Sequence, residues 1–416
     1  MQWASDLTKQ GLEKAMRAMS CIGAAFTSFL LATNVAFAEP ISFDHWLKGF
    51  RAEAAAAGIR ADIIDTALTG IVVNERVFEL NDNQPEFTRG IWDYLDSAVS
   101  KTRISNGREQ LASNLTLLST VEEKYGVDRE IIVAIWGLES AYGSVMGSYD
   151  AIQALATLAY TGRRTGYGRS QLIGAMKILQ NGYASREQLK GSWAGAMGHT
   201  QFIPTTYLGY AVDHDGDGVR DLWGNLGDVF ASTANYLSVS GYRENQGWGL
   251  EVKLPDDFNY SLADAQTATS LVEWYANVVT SPTGGSILIG NDPNTIAKLR
   301  APAGANGPAF LTFKNFDAIL KYNRSTSYAL AVSLLSEEVA GRSGSVVGAW
   351  PRDDRPLTLD ERKTLQQALT DRGFNPGPID GIIGAGTRRA LRAWQSSTGL
   401  PADGYASSAI LEKLKS

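Results

Sequence analysis

Residues 127–140 read Val-Asp-Arg-Glu-Ile-Ile-Val-Ala-Ile-Trp-Gly-Leu-Glu-Ser. Ile131, Ile132 and Ile135 share one face at helical spacing, with Leu138 beside them, so the segment reads as a helix turned towards a core. Gly126 stands where the preceding helix should end, and Asp128 is placed to cap the next one. Glu139 follows Ile135 by one helical turn and points with the apolar stripe. A carboxyl among apolar groups favours its protonated form, which makes Glu139 a candidate general acid. The same spacing also suits a structural carboxylate that answers an arginine or a backbone N–H.

Working outward, residues 41–145 read as mostly helical. Trp46, Leu47, Phe50, Ala54 and Ala57 keep a helical period, and further helices are expected over 90–100 and 111–125. Residues 146–240 mix helices with Gly-rich turns. Residues 250–310 carry Pro255, Pro282, Pro293, Pro302 and Pro308 and lose the period, with a short β-run expected at 286–289. A helix is expected over 316–339. The run GRSGSVVGAWPRDDRP, residues 341–356, then reads as a linker. Beyond it Thr358 and Glu361 form a capping box for a helix with Leu365, Ala368 and Leu369. Asn375-Pro376-Gly377-Pro378 makes a turn, Thr387 is placed to cap a helix with Leu391 and Trp394, and Ile410, Leu411 and Leu414 suit a third.

The chain has 416 residues, 44% hydrophobic and 20% charged, the balance of a globular protein of two or three domains. Its net charge of −6 disfavours generic binding to nucleic acid or anionic membranes. The only cysteine is Cys21 and the only histidines are His45, His199 and His214. That excludes zinc fingers, CxxCH haem attachment, Cys-ligated clusters and disulfide frameworks. Residues 1–38 read as a signal peptide. Lys9, Lys14 and Arg17 supply charge, residues 22–32 are mostly apolar, and Ala36-Phe37-Ala38 is an A-x-A cleavage site. The chain is expected to be exported, without a transmembrane segment.

A second segment bears on chemistry. Residues 191–204, GSWAGAMGHTQFIP, are crowded with small side chains that let backbone approach a ligand, and Gln201 is placed to orient a sugar amide or hydroxyl. A tight helix-turn packing site would look the same. Taken with Glu139, this run resembles the lytic murein transglycosylase B family. The carrying residues are Gln84-Pro85-Glu86-Phe87-Thr88, Ile135 to Ser140, Gly191 to Tyr207, Asp215-Gly216-Asp217-Gly218, Ser232 to Leu237 and Tyr322-Asn323-Arg324-Ser325. The likeness covers about residues 41–341.

The resemblance implies a mainly α, lysozyme-like catalytic region at 39–341 with a small β-containing subdomain, acting on peptidoglycan in the periplasm. It implies cleavage of the β-1,4 bond between N-acetylmuramic acid and N-acetylglucosamine, giving 1,6-anhydromuramyl ends. Glu139 matches the family's single acid/base, and the substrate's N-acetyl group would replace a second carboxylate. Tyr94, Tyr236, Tyr322 and Tyr328 match positions flanking the site. Ser192, Gln201 and Asn323 match polar contacts. Arg163, Arg164 and Tyr167 match a basic group suited to wall carboxylates. A water-adding muramidase and a non-catalytic wall adaptor are the alternatives. No catalytic cofactor is implied, and a monomer is expected.

Asp213-His214-Asp215-Gly216-Asp217-Gly218 resembles the start of an EF-hand loop. Asp213, Asp215 and Asp217 stand at carboxylate positions, and Val219 where a backbone carbonyl ligates, so a structural Ca²⁺ is implied. The resemblance makes Asp228 the closing ligand, with Asp221 as a substitute, and His214 pointing outward. An Asp/Gly turn without metal is the alternative. Residues 357–416 resemble the three-helix peptidoglycan-binding domain through Leu365-Gln366, Gly373-Phe374, Ile379-Asp380-Gly381, Thr387, Trp394-Gln395 and Asp403-Gly404. This module would hold the enzyme on the wall; a protein-docking module is the alternative.

Overall fold

The computed structural model describes residues 41–82, 90–263 and 267–416. The expected signal peptide and the Gln84–Thr88 motif lie outside them. The described chain is mainly helical. No helix among the described residues is long and apolar enough to cross a membrane.

Helices α1 (Phe43–Ala56), α2 (Ala61–Leu68), α3 (Glu75–Asp82) and α4 (Ile91–Ala98) lead into α5 (Lys101–Ser113), α6 (Leu115–Tyr125) and α7 (Arg129–Ser140). The helix expected over 111–125 is therefore shorter. The chain breaks at Asn114, at φ −112° and ψ 17°, where the Asn114 side-chain amide donates to the Gln110 carbonyl. Gly126 ends α6 in the left-handed region, as its position suggested. Asp128 sits at the start of α7 but makes no side-chain cap; its carboxylate instead accepts the Tyr242 hydroxyl at 2.9 Å.

Residues Ile131 to Gly137 of α7 are all buried. A helix buried on every side is a central one. Here α5, α6, α11 (Leu226–Val239) and α14 (Thr326–Val339) surround it. Helices α8 (Ala151–Tyr160), α9 (Thr165–Gln180) and α10 (Pro204–Tyr210) complete the main core, joined by the short ladder of β1 (Tyr149–Asp150) with β2 (Lys190–Gly191). A four-stranded antiparallel sheet stands beside it in the order β3 (Gly249–Val252), β6 (Ala309–Thr312), β5 (Ile296–Arg300), β4 (Thr269–Ser270). With α12 (Leu271–Ala276) it encloses a second core around Trp274, Leu299 and Leu311. Residues 286–289 hold no strand, and 287–290 are a turn: the Asn291 amide donates to the Ile287 and Ile289 carbonyls and curls the run.

The helix expected over 316–339 is two, α13 (Lys314–Tyr322) and α14. Asn323 is extended, at φ −142°, and the Ser325 hydroxyl caps α14 by accepting from Tyr328 N. The C-terminal module is α15 (Leu359–Asp371), α16 (Ala385–Ser397) and α17 (Ser408–Lys415) around Leu365, Leu391, Trp394 and Leu411. The Thr358–Glu361 capping box is present. Thr387 is not a cap. It lies buried inside α16, and its hydroxyl accepts from Gln366 and donates to the Pro376 carbonyl.

Residues 342–356 form no helix or strand, yet they are strapped down. Val347 N and Gly348 N donate to the Glu251 carboxylate at 2.7 and 2.6 Å. Trp350 packs between Trp92 and Phe310, with ring centroids 6.5 and 6.4 Å away, and Arg352 pairs with Asp96. Asp403 of the last module accepts Ala305 N at 2.8 Å. Trp350→Ala should therefore cost about 2 kcal/mol of apolar burial, seen as a melting temperature lower by a few degrees, whereas exposed Val347→Ala should change nothing. Equal melting curves for wild type and the Trp350 variant would mean a free tether.

Candidate active site

The end of α7 decides where Glu139 stands. Ala141 and Tyr142 follow the helix at φ 47° and 60°, the left-handed region that L side chains seldom occupy. Tyr142 turns its ring back under the helix, edge-on to Trp136 at 5.5 Å, and its hydroxyl donates to the Arg103 carbonyl at 2.7 Å. The space it fills exists because Gly137 has no side chain. A Cβ there would lie 2.6 Å from the ring. Arg103 reciprocates by donating to the Gly137 carbonyl and to the last carbonyls of α4. The strained turn is thus held from several sides.

The loop 191–204 is sewn onto this turn. Ser140 Oγ donates to the His199 carbonyl at 2.5 Å, and Trp136 Nε1 donates to His199 Nδ1 at 2.9 Å. His199 Nε2 lies 3.2 Å from the Trp223 carbonyl, which fixes the Nε2–H tautomer. Burial lowers the imidazole's pKa, so it serves as a neutral strut. Next in the loop, Thr200 offers its carbonyl to the Tyr322 hydroxyl. Gln201, at φ 53°, spends its amide N–H on the Met146 and Gly198 carbonyls.

Tyr322 and Tyr328 flank the α13–α14 break and lie parallel, 6.5 Å apart. Tyr328 donates to Glu139 Oε1 at 2.6 Å. Glu139 is half-buried as a residue, and burial of its carboxyl pushes its pKa up to about 7 against the opposing pull of the Tyr328 bond. Burial, and then the Glu139 charge, hold both phenols well above their ordinary pKa, so they stay donors. Tyr236 completes the cluster on Tyr322 at 5.2 Å and donates to the Lys321 carbonyl. Tyr94 packs on the main core from α4.

A second group forms at the other end of the loop. The Arg164 guanidinium lies over Tyr167 and Trp193 at 5.8 and 5.7 Å. Tyr167 donates to the Ala194 carbonyl at 2.8 Å, and burial pushes its pKa up to about 12. Ser192 turns its hydroxyl to Ala194 N and Ala196 N, bracing its own loop. Arg163 binds the Asn81 carbonyl of α3. Exposed Asn323 accepts from Ser325 N. Sequence reasoning missed the struts His199, Ser140, Tyr142 and Trp193; a left-handed turn without glycine leaves no compositional mark.

In the Asp-rich loop, carboxylate oxygens of Asp213, Asp215 and Asp217 all lie within 4.8 Å of one another. Asp228 is not in that group. It is buried in the first turn of α11, and its two oxygens accept His214 N and Asp221 N, each at 2.7 Å. Asp221 faces Trp223 N and Gly224 N. Val219 donates its N–H to Asp217. His214 does not point outward: its Nδ1 is buried, and its ring lies against Gly227.

The transglycosylase SLT domain family profile matches residues 42–337, and a peptidoglycan binding domain profile matches residues 358–414. The membrane-bound lytic murein transglycosylase B of Escherichia coli (strain K12) is 31% identical over 281 residues, 64% of this chain and 74% of that protein. SltB3 from Pseudomonas aeruginosa, solved in complex with NAG-anhNAM-pentapeptide, is 50% identical with a TM-score of 0.87, covering 90% of this chain and 100% of that one. Escherichia coli Slt35, solved in complex with calcium, is 29% identical with a TM-score of 0.61, covering 71% of this chain and 92% of that one. This chain belongs to the transglycosylase SLT family. It is a lytic transglycosylase, a lyase that acts on peptidoglycan.

The Glu139 environment has a consequence for stability. Its folded pKa of about 7 lies above the ordinary 4.5. Between those pH values the folded chain holds a proton that the unfolded chain releases, so stability falls as pH rises through the window. Glu139→Gln escapes this loss. The variant should be more stable than wild type at pH 8 by about 1–3 kcal/mol, with the gap closing below pH 4.5. Melting curves across pH that run parallel would show that the carboxyl is freely solvated.

Proposed function

We propose that Glu139 is the single acid/base of a reaction that cuts the β-1,4 bond between N-acetylmuramic acid and N-acetylglucosamine and leaves a 1,6-anhydromuramyl end. The observation that carries this is the Glu139 carboxyl itself: buried, raised to about 7, and held on one oxygen by Tyr328. Among the described residues no second carboxylate charge bears on its titration. Two-carboxylate glycosidases set the pair within about 5–9.5 Å, whereas substrate-assisted ones need only one. The protonated Glu139 gives its proton to the glycosidic oxygen as the C1–O bond breaks. The muramyl N-acetyl oxygen covers C1. Glu139 then takes the proton from the C6 hydroxyl as O6 bonds to C1 and the N-acetyl oxygen leaves it, and no water enters. SltB3 was solved with an anhNAM ligand, which is this product class.

Tyr328 holds Oε1 and leaves Oε2 for the proton. Tyr94, Tyr236 and Tyr322 form the wall of the groove. Ser192, Gln201 and Asn323 contact the glycan, while Arg163, Arg164 and Tyr167 take wall carboxylates. Residues 1–38 direct export to the periplasm, residues 39–341 catalyse, and residues 357–416 bind peptidoglycan. Glu139→Gln should lower turnover by ~10² or more while glycan binding persists. For wild type, kcat/KM should fall above about pH 7, where the acid is lost. Digestion of purified sacculi should release anhydromuramyl products by mass; reducing ends instead would make the enzyme a hydrolase.

The Asp-rich loop suits a structural Ca²⁺. Oxygens bound to one calcium lie up to about 5 Å apart, and those of Asp213, Asp215 and Asp217 are already within 4.8 Å. Val219 would add its carbonyl. Asp228 braces the loop rather than ligating. Calcium should raise the melting temperature, because it binds only the folded loop, and Asp213→Ala with Asp217→Ala should abolish the rise. Identical curves in chelator and in excess Ca²⁺ would leave the loop a plain turn.

A further inference from the structure

The C-terminal module carries two arginines that the fold does not use. Arg388 and Arg392 stand one helical turn apart on α16. Residues at that spacing share a face, and like charges there repel. The loop Asp403–Tyr405 lies against them. A Cβ on Gly404, at φ 70°, would fall 2.8 Å from the Arg388 carbonyl and 2.9 Å from Arg392 Nε. The absent side chain is what lets the loop approach.

Neither guanidinium has a hydrogen-bonded or carboxylate partner among the described residues. Arg392 Nε is buried without an acceptor. The nearby carboxylates are committed elsewhere. Asp403 accepts from Gln395, Tyr405 N and Ala305 N, and Asp354 accepts from Ser408. By contrast Arg355, just ahead of the module, is paired with Glu361 of α15. Crowding by protein atoms, and then the Arg392 charge, draw the Arg388 pKa below its ordinary value. Two like charges kept together without an anion are what an anion-binding face looks like when its ligand comes from outside.

We infer that Arg388 and Arg392, set against the Gly404 loop, form a subsite for the carboxylates of peptidoglycan peptides. This rests on the reading of residues 357–416 as a wall-binding module. Of the wall's two parts, the peptide fits better than the sugar: adjacent planar donors match carboxylates, and a neutral glycan offers them no counter-charge. The subsite lies at the seam where Asp403 joins the module to Ala305, so a captured peptide is held beside the catalytic region rather than on a loose tether.

The test uses the full chain carrying Glu139→Gln, so that sacculi are not consumed. Arg388→Gln with Arg392→Gln should weaken co-sedimentation with intact sacculi by ~10-fold and flatten its salt dependence. Binding to glycan strands stripped of peptide, with the lactyl carboxylates so exposed amidated, should not change. The matching Lys pair, which keeps charge and stems but not the forked donors, should fall between. It is also the readout if the Gln pair melts early. Sedimentation equal to the parent in both pairs, or an equal loss on the stripped and amidated glycan, overturns the subsite. A parent that does not sediment sinks the wall-binding reading itself, and release of muropeptides by the parent counts against the role of Glu139 alone.

Discussion

The burial of one carboxyl at the C-terminal end of α7 is the constraint on which the surrounding structure depends. Helix carbonyls point towards that end, so a negative charge there is disfavoured by the helix as well as by burial. The fold must therefore hold the carboxyl in place without neutralising it with a cation. A phenol does this: Tyr328 gives a hydrogen bond and no charge. An arginine in its place would have pulled the pKa down and destroyed the acid. The left-handed pair Ala141–Tyr142 is the cost of ending the helix just past Glu139. Gly137 is the concession that makes room for the ring holding that turn.

The parts of this legible in the sequence were the local ones. The face of Glu139 followed from Ile131, Ile132 and Ile135, the Gly126 stop from its missing side chain, and the Thr358–Glu361 box from two residues three apart. Boundaries set by side chains bonding back to the main chain were not legible. Asn114 and Ser325 each split an expected helix, and neither interrupts the apolar period. Pairings across the chain were equally silent. Tyr328 lies 189 residues from Glu139, and only the family resemblance brought it near the site before the fold did.

The split at Asn323–Ser325 has a structural use. One continuous helix would carry Tyr322 and Tyr328 about 600° apart around its axis, so their rings could not be parallel neighbours. Breaking it lets α13 deliver Tyr322 to the Thr200 carbonyl while α14 delivers Tyr328 to Glu139. The two rings stack between the loop and the acid. The loop 191–204 is thereby fixed at both of its approaches: His199 to α7, and Thr200 to α13. The small residues of this loop serve close packing: a Cβ on Gly195 would strike Leu155, and one on Gly198 would strike Leu222.

The Asp-rich loop shows the same division between holding and acting. The buried Asp228 carboxylate ties His214 N and Asp221 N to the first turn of α11, whose later residue Tyr236 packs on Tyr322. Anchorage to the site thus passes through neutral N–H donors, and the trio of half-buried Asp213 with exposed Asp215 and Asp217 hangs outside it. A cation at the trio would relieve the repulsion among carboxylates and stiffen the loop. It would do so without being the thing that positions α11, which is why the loop's contribution to stability and the packing of Tyr236 on Tyr322 are separable in this fold.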